Sequence, residues 1–304
     1  MLRTDLALEA KEMYHESVGN TNEIDGIVST TCKYDDIIVT KVEIINETGS
    51  KAIGKPVGNY ITIEMPDFLQ YGYFYYNQAI EVIKNELNRL LPDTNNKKVL
   101  IAGLGNRQIT SDALGPYAVD NLIVTGHLAK FAPESLGKLG TMYAIAPGVM
   151  GITGVETADV VKGVCEKVNP GLVVAIDALA SRKTERVATT IQISDTGINP
   201  GSGIGNHRKE ITQNYLGIPV ISIGAPMVVD ALTLAYDTVD SLGVMNKDEI
   251  LGKISEKKQG ENALFTVTPK ETDKLTTQMA NIISSAINIT FHNISAEEIA
   301  GYIS

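Results

Sequence analysis

Two short stretches carry an Asp close behind an apolar run, which is where α/β enzymes gather their chemistry. In GLGNRQITSDALGP, Gly103 to Pro116, glycines follow the apolar run Val99 to Ala102, and Asp112 stands just before a helix expected to start at Pro116. Glycines let the backbone turn sharply and approach a ligand, and a helix N-terminus favours a negative charge. An Asp at such a place can equally be an ordinary helix cap. In AIDALASRKTER, Ala175 to Arg186, Asp177 follows the apolar run Leu172 to Ile176. A carboxylate at the end of a buried strand is costly unless it is hydrogen-bonded, paired or metal-bound. If the two loops converge, one carboxyl group keeps its proton while the other ionises, because closely spaced like charges resist joint ionisation. Such a pair can activate a water and donate a proton to a leaving group.

Other arrangements are poorer. The glycine-rich stretch DTGINPGSGIGNHRKE, Asp195 to Glu210, lacks the Lys-Ser/Thr of a P-loop and does not open a first βα unit as a dinucleotide fingerprint would. It reads as a surface loop that covers substrate or contacts a subunit, with Asn206, Arg208 and Lys209 as polar contacts. His15, His127, His207 and His292 form no zinc motif, Cys32 and Cys165 have no ligand spacing, and Ser202 lies outside any nucleophile elbow. No metal and no cofactor is expected.

The elements that would position these residues alternate. Residues 24 to 65 hold short β-rich runs, Ile37 to Val39, Val42 to Ile45 and Tyr60 to Ile63, parted by Gly, Asn and Asp turns. A helix over Asn77 to Leu91 follows, with Ile80, Ile83, Leu87 and Leu90 at helical spacing. From Lys98 on, the apolar runs Val99 to Ala102, Met142 to Ile145, Leu172 to Ile176, Thr189 to Ile193 and Val220 to Ile223 alternate with helical segments, Glu156 to Val168 and Val228 to Leu242 among them. Strands apolar on every residue are buried on both faces. The expected fold is therefore α/β, a doubly wound, mostly parallel sheet with helices on both faces and an N-terminal β-rich elaboration. A last helix carries Leu275, Met279, Ile282, Ile283 and Ile287 on one stripe.

The chain has 304 residues, 36 acidic against 26 basic, for a formal net charge of -10. That balance argues against direct contact with nucleic acid phosphates. Charges in MLRTDLALEAKE occupy the place of a signal's apolar stretch, and no window approaches the ~20 apolar residues of a membrane span. A cytoplasmic, reducing location and one elaborated domain are expected.

Taken together, RTDLALEA, GLGNRQITSDALGP, APGVMGITGVET, IDALASRKTERVATTIQISDTGINPGSGIGNHRKEI and IPVISIGAP resemble the germination protease family of spore-forming bacteria. The resemblance implies a homotetrameric endopeptidase, grouped with aspartic peptidases of an unusual kind and similar in fold to hydrogenase-maturation peptidases. It implies degradation of small acid-soluble spore proteins in the spore core, and a zymogen that trims its own N-terminus. The family's catalytic aspartates map onto Asp112, in SDALGP, and Asp177, in IDALA. Thr4-Asp5-Leu6-Ala7-Leu8-Glu9 looks like the substrate pattern Thr-Glu-Ile-Ala-Ser-Glu, cut after the first acidic residue, so the cut is expected between Asp5 and Leu6. Residues 1–5 would be a propeptide, shorter than in relatives, and 6–304 the peptidase domain. A basic pocket for the acid before the cut is expected among Arg182, Lys183, Arg186 and Arg208, with Asn106 and Asn206 as further substrate contacts. Met227 stands where relatives tend to carry threonine, a change expected to affect one pocket's specificity or packing. The alternatives are a metal-dependent maturation peptidase, with the same carboxylates on a divalent ion, and a protein that binds peptides without cutting them.

Overall fold

A computed structural model of the chain describes residues 4–19, 23–93, 96–200, 208–242, 265–295 and 298. The chain opens with helix α1 (Ala7–Val18), which the apolar spacing had not disclosed. A hairpin of β1 (Ile27–Tyr34) and β2 (Ile37–Ile44) follows, and then α2 (Glu47–Ile53), whose first turn is capped by Asn46 accepting from the amides of Thr48 and Gly49. After β3 (Gly58–Glu64) comes the long α3 (Phe68–Leu90), starting earlier than its periodicity indicates and broken at Tyr71.

From there strands and helices alternate as expected: β4 (Val99–Gly103), α4 (Leu114–Asp120), α5 (Gly126–Phe131), β5 (Met142–Ile145), α6 (Met150–Thr153), α7 (Thr157–Val168) and β6 (Leu172–Ser181). Next are β7 (Thr190–Ser194), α8 (Gln213–Leu216), β8 (Val220–Asp230), α9 (Ala231–Ser241), the short β9 (Thr266–Val267) and α10 (Thr272–His292).

All these strands join one sheet in the order β1-β2-β3-β7-β8-β6-β4-β5, with β9 beside the end of β8. Its β8-β6-β4-β5 part is parallel. The N-terminal hairpin strands are not a separate layer: β3 runs antiparallel to β7, and β7 to β8, so they widen the same sheet.

Alternate residues of each strand point to opposite faces. On one face Val99, Ile101, Leu172, Val174, Ile176, Ile191, Ile193, Ile221 and Ile223 pack under α3, α4 and α10. On the other, Leu100, Ala102, Val173 and Ala175 meet Ala158, Val161 and Cys165 of α7, while Val42, Ile44 and Tyr60 meet Ala7 of α1 and Ile53 of α2. The α/β architecture with helices on both faces is the one expected. Met227 is fully buried in the first of these cores, so its consequence here is packing.

Two strands run further than their apolar runs. Residues Val228 and Val229, expected to begin a helix, instead pair with Ala180 and Ser181, and the register shifts between Leu179 and Ala180. Backbone groups leaving a buried sheet need partners, and each strand supplies them to the other. Asp177 therefore lies within β6, opposite Gly224 of β8, and not in a loop beyond it.

Helix α4 sits unusually close to the sheet. A Cβ on Gly103 would come within 2.2 Å of the Gly115 carbonyl oxygen, and one on Gly115 within 2.5 Å of the Ile176 carbonyl oxygen. No side chain fits at either place. Overpacking of this kind costs about 1–3 kcal/mol, so Gly115→Ala should lower the thermal midpoint by several degrees in calorimetry; an unchanged midpoint would mean that the helix has room to back away.

Candidate active site

The loop after β4 is tied to β6 by the Leu104 amide, which donates to the Ile176 carbonyl at 2.7 Å. Gly105 has φ +108, and a Cβ there would meet the Asp112 carbonyl oxygen at 2.0 Å, so only glycine allows the loop to fold back on itself. The return places Asp112 at the end of a single 3₁₀ turn, Thr110–Asp112, immediately before α4. Its Oδ2 accepts from the Asn106 amide at 2.8 Å. The residue at the cap position of α4 is Ala113, and no side chain caps it. The capping role open to Asp112 in the sequence is thus not the one it takes. Asn106 contributes its backbone, and its side-chain oxygen accepts from the Gln108 amide at 3.0 Å.

Asp177 is only 5% exposed. Its Oδ1 accepts from the adjacent Ala178 amide at 3.0 Å. Burial, then the charge of Asp112, then that of Asp5, hold its carboxyl well above the usual carboxylate range. Asp112 is also raised by burial, but less enclosed and opposed by the Asn106 hydrogen bond. In this pair Asp177 keeps the proton and Asp112 ionises first.

The third carboxylate, Asp5, belongs to an N-terminal segment docked in the same place. Its amide donates to the Ala180 carbonyl at 2.9 Å, and its Oδ2 accepts from the Ala180 amide at 2.8 Å. The Asp5 carbonyl accepts from Lys55 Nζ at 3.0 Å and Gln192 Nε2 at 3.2 Å, while the Ala7 amide donates to Gln192 Oε1 at 2.8 Å. Lys55 Nζ also reaches the Thr4 carbonyl at 3.1 Å. Leu6 is fully buried. Thr4, Asp5, Lys55, Gln192, Asp177 and Gly224 all line one cleft of about 980 Å³.

Glu9 is fully buried three positions into α1. It accepts from the amides of Arg182 at 2.5 Å and Lys183 at 2.9 Å and from Arg186 Nη1 at 3.3 Å. Arg186 also grips Glu12 at 2.7 Å and Glu64 at 2.8 Å, while the Arg182 guanidinium pairs with Asp237 at 2.7 Å and lies over Tyr236. Arg182, Lys183 and Arg186, expected around Asp5, therefore gather on acids later in the chain. The reason is position: Arg182 to Arg186 follow the end of β6, beside the first turns of α1, whereas Asp5 binds one step earlier at Ala180. A cation near Asp5 is Lys55, whose pKa burial lowers while the Asp5 and Glu9 carboxylates oppose the shift. Neither Lys55 nor Gln192 had a sequence signal, being one residue in a loop and one in an apolar strand. Arg208 lies apart, with Nη1 3.4 Å from Met150 Sδ, and Asn206 falls outside the described residues. Among the described residues no three His, Cys, Asp or Glu side chains are arranged to hold a metal ion, and no helix is long and apolar enough to cross a membrane.

Comparison with known proteins gives the chain its relatives. The family model described as germination protease matches residues 7–264. A germination protease from Caldanaerobacter subterraneus subsp. tengcongensis is 45% identical over 95% of this chain and 93% of its own length. One from Clostridium perfringens is 42% identical over 99% of both, and one from Bacillus cereus 40% identical over 96% of this chain and 94% of its own. Among solved structures, the [NiFe] hydrogenase maturation protease HycI from Thermococcus kodakarensis KOD1 aligns with 68% of this chain and 98% of its own, at 15% identity and a TM-score of 0.36.

The raised Asp177 carboxyl has a consequence for stability. The folded chain holds a proton that the unfolded chain has lost, so the group's contribution is complete below the unfolded value near ~4 and is lost as pH rises toward the folded one. Asp177→Asn should therefore melt a few degrees above the parent at neutral pH, with the gap closing toward pH ~4. An Asp177→Asn chain that melts lower than the parent at neutral pH would show that Asp177 is ionised there.

Proposed function

This chain belongs to the germination protease family, and we propose that within it the protein works as an aspartic-type endopeptidase cutting small acid-soluble spore proteins after an acidic residue. The observation that carries the reading is the N-terminal segment itself. Thr4-Asp5-Leu6-Ala7-Leu8-Glu9 has the spacing of Thr-Glu-Ile-Ala-Ser-Glu, and it lies in the cleft lined by Asp177 with its backbone held on both sides of the Asp5–Leu6 bond.

The chemistry follows from the two carboxyl groups. Asp112, the more readily ionised, draws a proton from a water as its oxygen attacks the Asp5 carbonyl carbon, or that of a substrate residue in its place. Asp177, which holds its proton, delivers it to the departing amine as the C–N bond breaks. Afterwards Asp112 carries the extra proton and Asp177 the charge, and exchange with solvent restores the starting state.

Substrate choice follows from the same register. The acid before the cut fits against the Ala180 amide beside Lys55, and the acid four residues later fits the Arg186 pocket with the Arg182 and Lys183 amides. Charge-assisted bonds from an arginine and two backbone amides favour a carboxylate strongly over a neutral side chain. Self-processing between Asp5 and Leu6, release of residues 1–5, assembly as a homotetramer and action in the spore core belong to the same proposal and rest on the family resemblance.

Four measurements test it. A peptide containing TEIASE should be cut once, after its first Glu, and ageing protein should lose residues 1–5 by mass spectrometry; a chain that binds the peptide but leaves it intact would be a binding protein only. Asp112→Asn and Asp177→Asn should each lower the rate by about 10²–10⁴-fold while remaining folded. Chelation should leave the rate unchanged, and its loss with EDTA would favour the metal-dependent alternative.

A further inference from the structure

The mechanism leaves one charge unattended. When water adds to a peptide carbonyl, the oxygen becomes an oxyanion, and donors aimed at that oxygen are commonly the largest single contribution to the rate. Asp112 and Asp177 are occupied with the attacking water and the departing nitrogen. The groups that touch the carbonyl oxygen are elsewhere: Lys55 Nζ at 3.0 Å and Gln192 Nε2 at 3.2 Å from the Asp5 oxygen. We propose that Lys55 and Gln192 form the oxyanion site of this peptidase, Lys55 as the charged donor and Gln192 as the donor that also fixes the backbone register.

Three observations support this assignment, which rests on the endopeptidase reading above. First, the row across the sheet is continuous: Gln192 pairs with Gly224, and Gly224 with Asp177. Gln192 and Asp177 thus stand on one face two strand spacings apart, about 10 Å, with Gly224 between them and the Leu179 side chain beside it. A peptide crossing this row has a donor at one end and the buried acid at the other.

Second, Gln192 uses both ends of its amide on the same chain. Its nitrogen donates to the carbonyl before the Asp5–Leu6 bond, and its oxygen accepts from the Ala7 amide beyond it. Slipping the peptide by one residue breaks both bonds at once, so Gln192 selects which carbonyl lies in the site.

Third, Lys55 is a donor partly shielded from water. It is half-buried beside Asp5 and Glu9, and burial lowers its pKa while those two carboxylates oppose the shift. An ammonium in such a place gains strongly when a full negative charge develops 3.0 Å away, and much less from a neutral carbonyl. With the oxyanion held there, the proton on Asp177 stays available for the leaving amine. The balance is unchanged: water and one peptide bond give a carboxylic acid and an amine.

The test uses the full-length chain and a TEIASE-containing peptide. Lys55→Met, similar in length but without charge or donor, should lower kcat by about 10²–10³-fold and move KM by no more than about threefold, because the loss falls on the transition state. Gln192→Glu keeps the acceptor for the amide beyond the cut but removes the donor to the carbonyl, and it should also lose kcat. A folded Lys55→Met chain with kcat within about twofold of the parent, or with only KM raised, would overturn the assignment and make Lys55 a tether for the N-terminal segment. If Lys55→Met does not fold by thermal unfolding, the Gln192→Glu result decides by the same criterion. A parent chain that leaves both the peptide and its own Asp5–Leu6 bond intact overturns the endopeptidase reading first, and this inference with it.

Discussion

Asp177 places a carboxyl group in the interior of a strand, with one amide beside it as hydrogen-bond donor and two further carboxylates near enough to raise its pKa. A charged carboxylate in such a place is expensive, and a protonated one is tolerable. That single condition orders the rest of the site. It makes Asp177 the proton holder and leaves the charge to Asp112, which is less enclosed and bonded to the Asn106 amide. Lys55 brings a cation into the same cleft, reaching from the loop between α2 and β3 to the Asp5 carbonyl.

Setting Asp112, on the turn before α4, near Asp177, inside β6, requires backbone without side chains. Gly103 and Gly115 let α4 lie against β4 and β6, and Gly105 lets the loop between them double back over Asp112. Gly224 does the same beside Asp177, where a Cβ would strike the Leu179 side chain at 2.7 Å. The glycines act through geometry, yet the pKa of both acids depends on them, since distance and burial set the coupling.

Helix α1 anchors what lies in the cleft. Glu9 is buried against Arg186 and two backbone amides, and Glu12 adds a second contact to the same guanidinium. Against the burial that would lower it, Glu12 and Glu64 hold the Arg186 guanidinium charged well beyond its ordinary range, and Arg186 in turn lowers the Glu12 carboxyl. The first turns of α1 are thereby fixed to the end of β6, and the residues around Asp5 are led across Ala180 and under Lys55.

Much of this molecule was legible in its residues. Runs apolar at every position, such as Val99 to Ala102 and Leu172 to Ile176, can only be strands covered on both faces, and the stripe of Leu275, Met279, Ile282 and Ile283 can only be a helix on a core. The same local rules singled out Asp112 and Asp177, because a carboxylate beside buried backbone demands a reason. What local rules could not supply was anything decided by residues far apart in sequence. The extension of β6 past Asp177 depends on its pairing with β8, the choice between cap and acid for Asp112 depends on how Gly105 folds, and the destination of Arg186 depends on α1. Lys55 and Gln192 carried no pattern at all, since a lysine in a loop and a glutamine in a strand gain meaning only when the sheet sets them on one carbonyl oxygen. Periodicity records which face a residue turns, but the distance between two faces is fixed by packing, and that distance is where the chemistry lies.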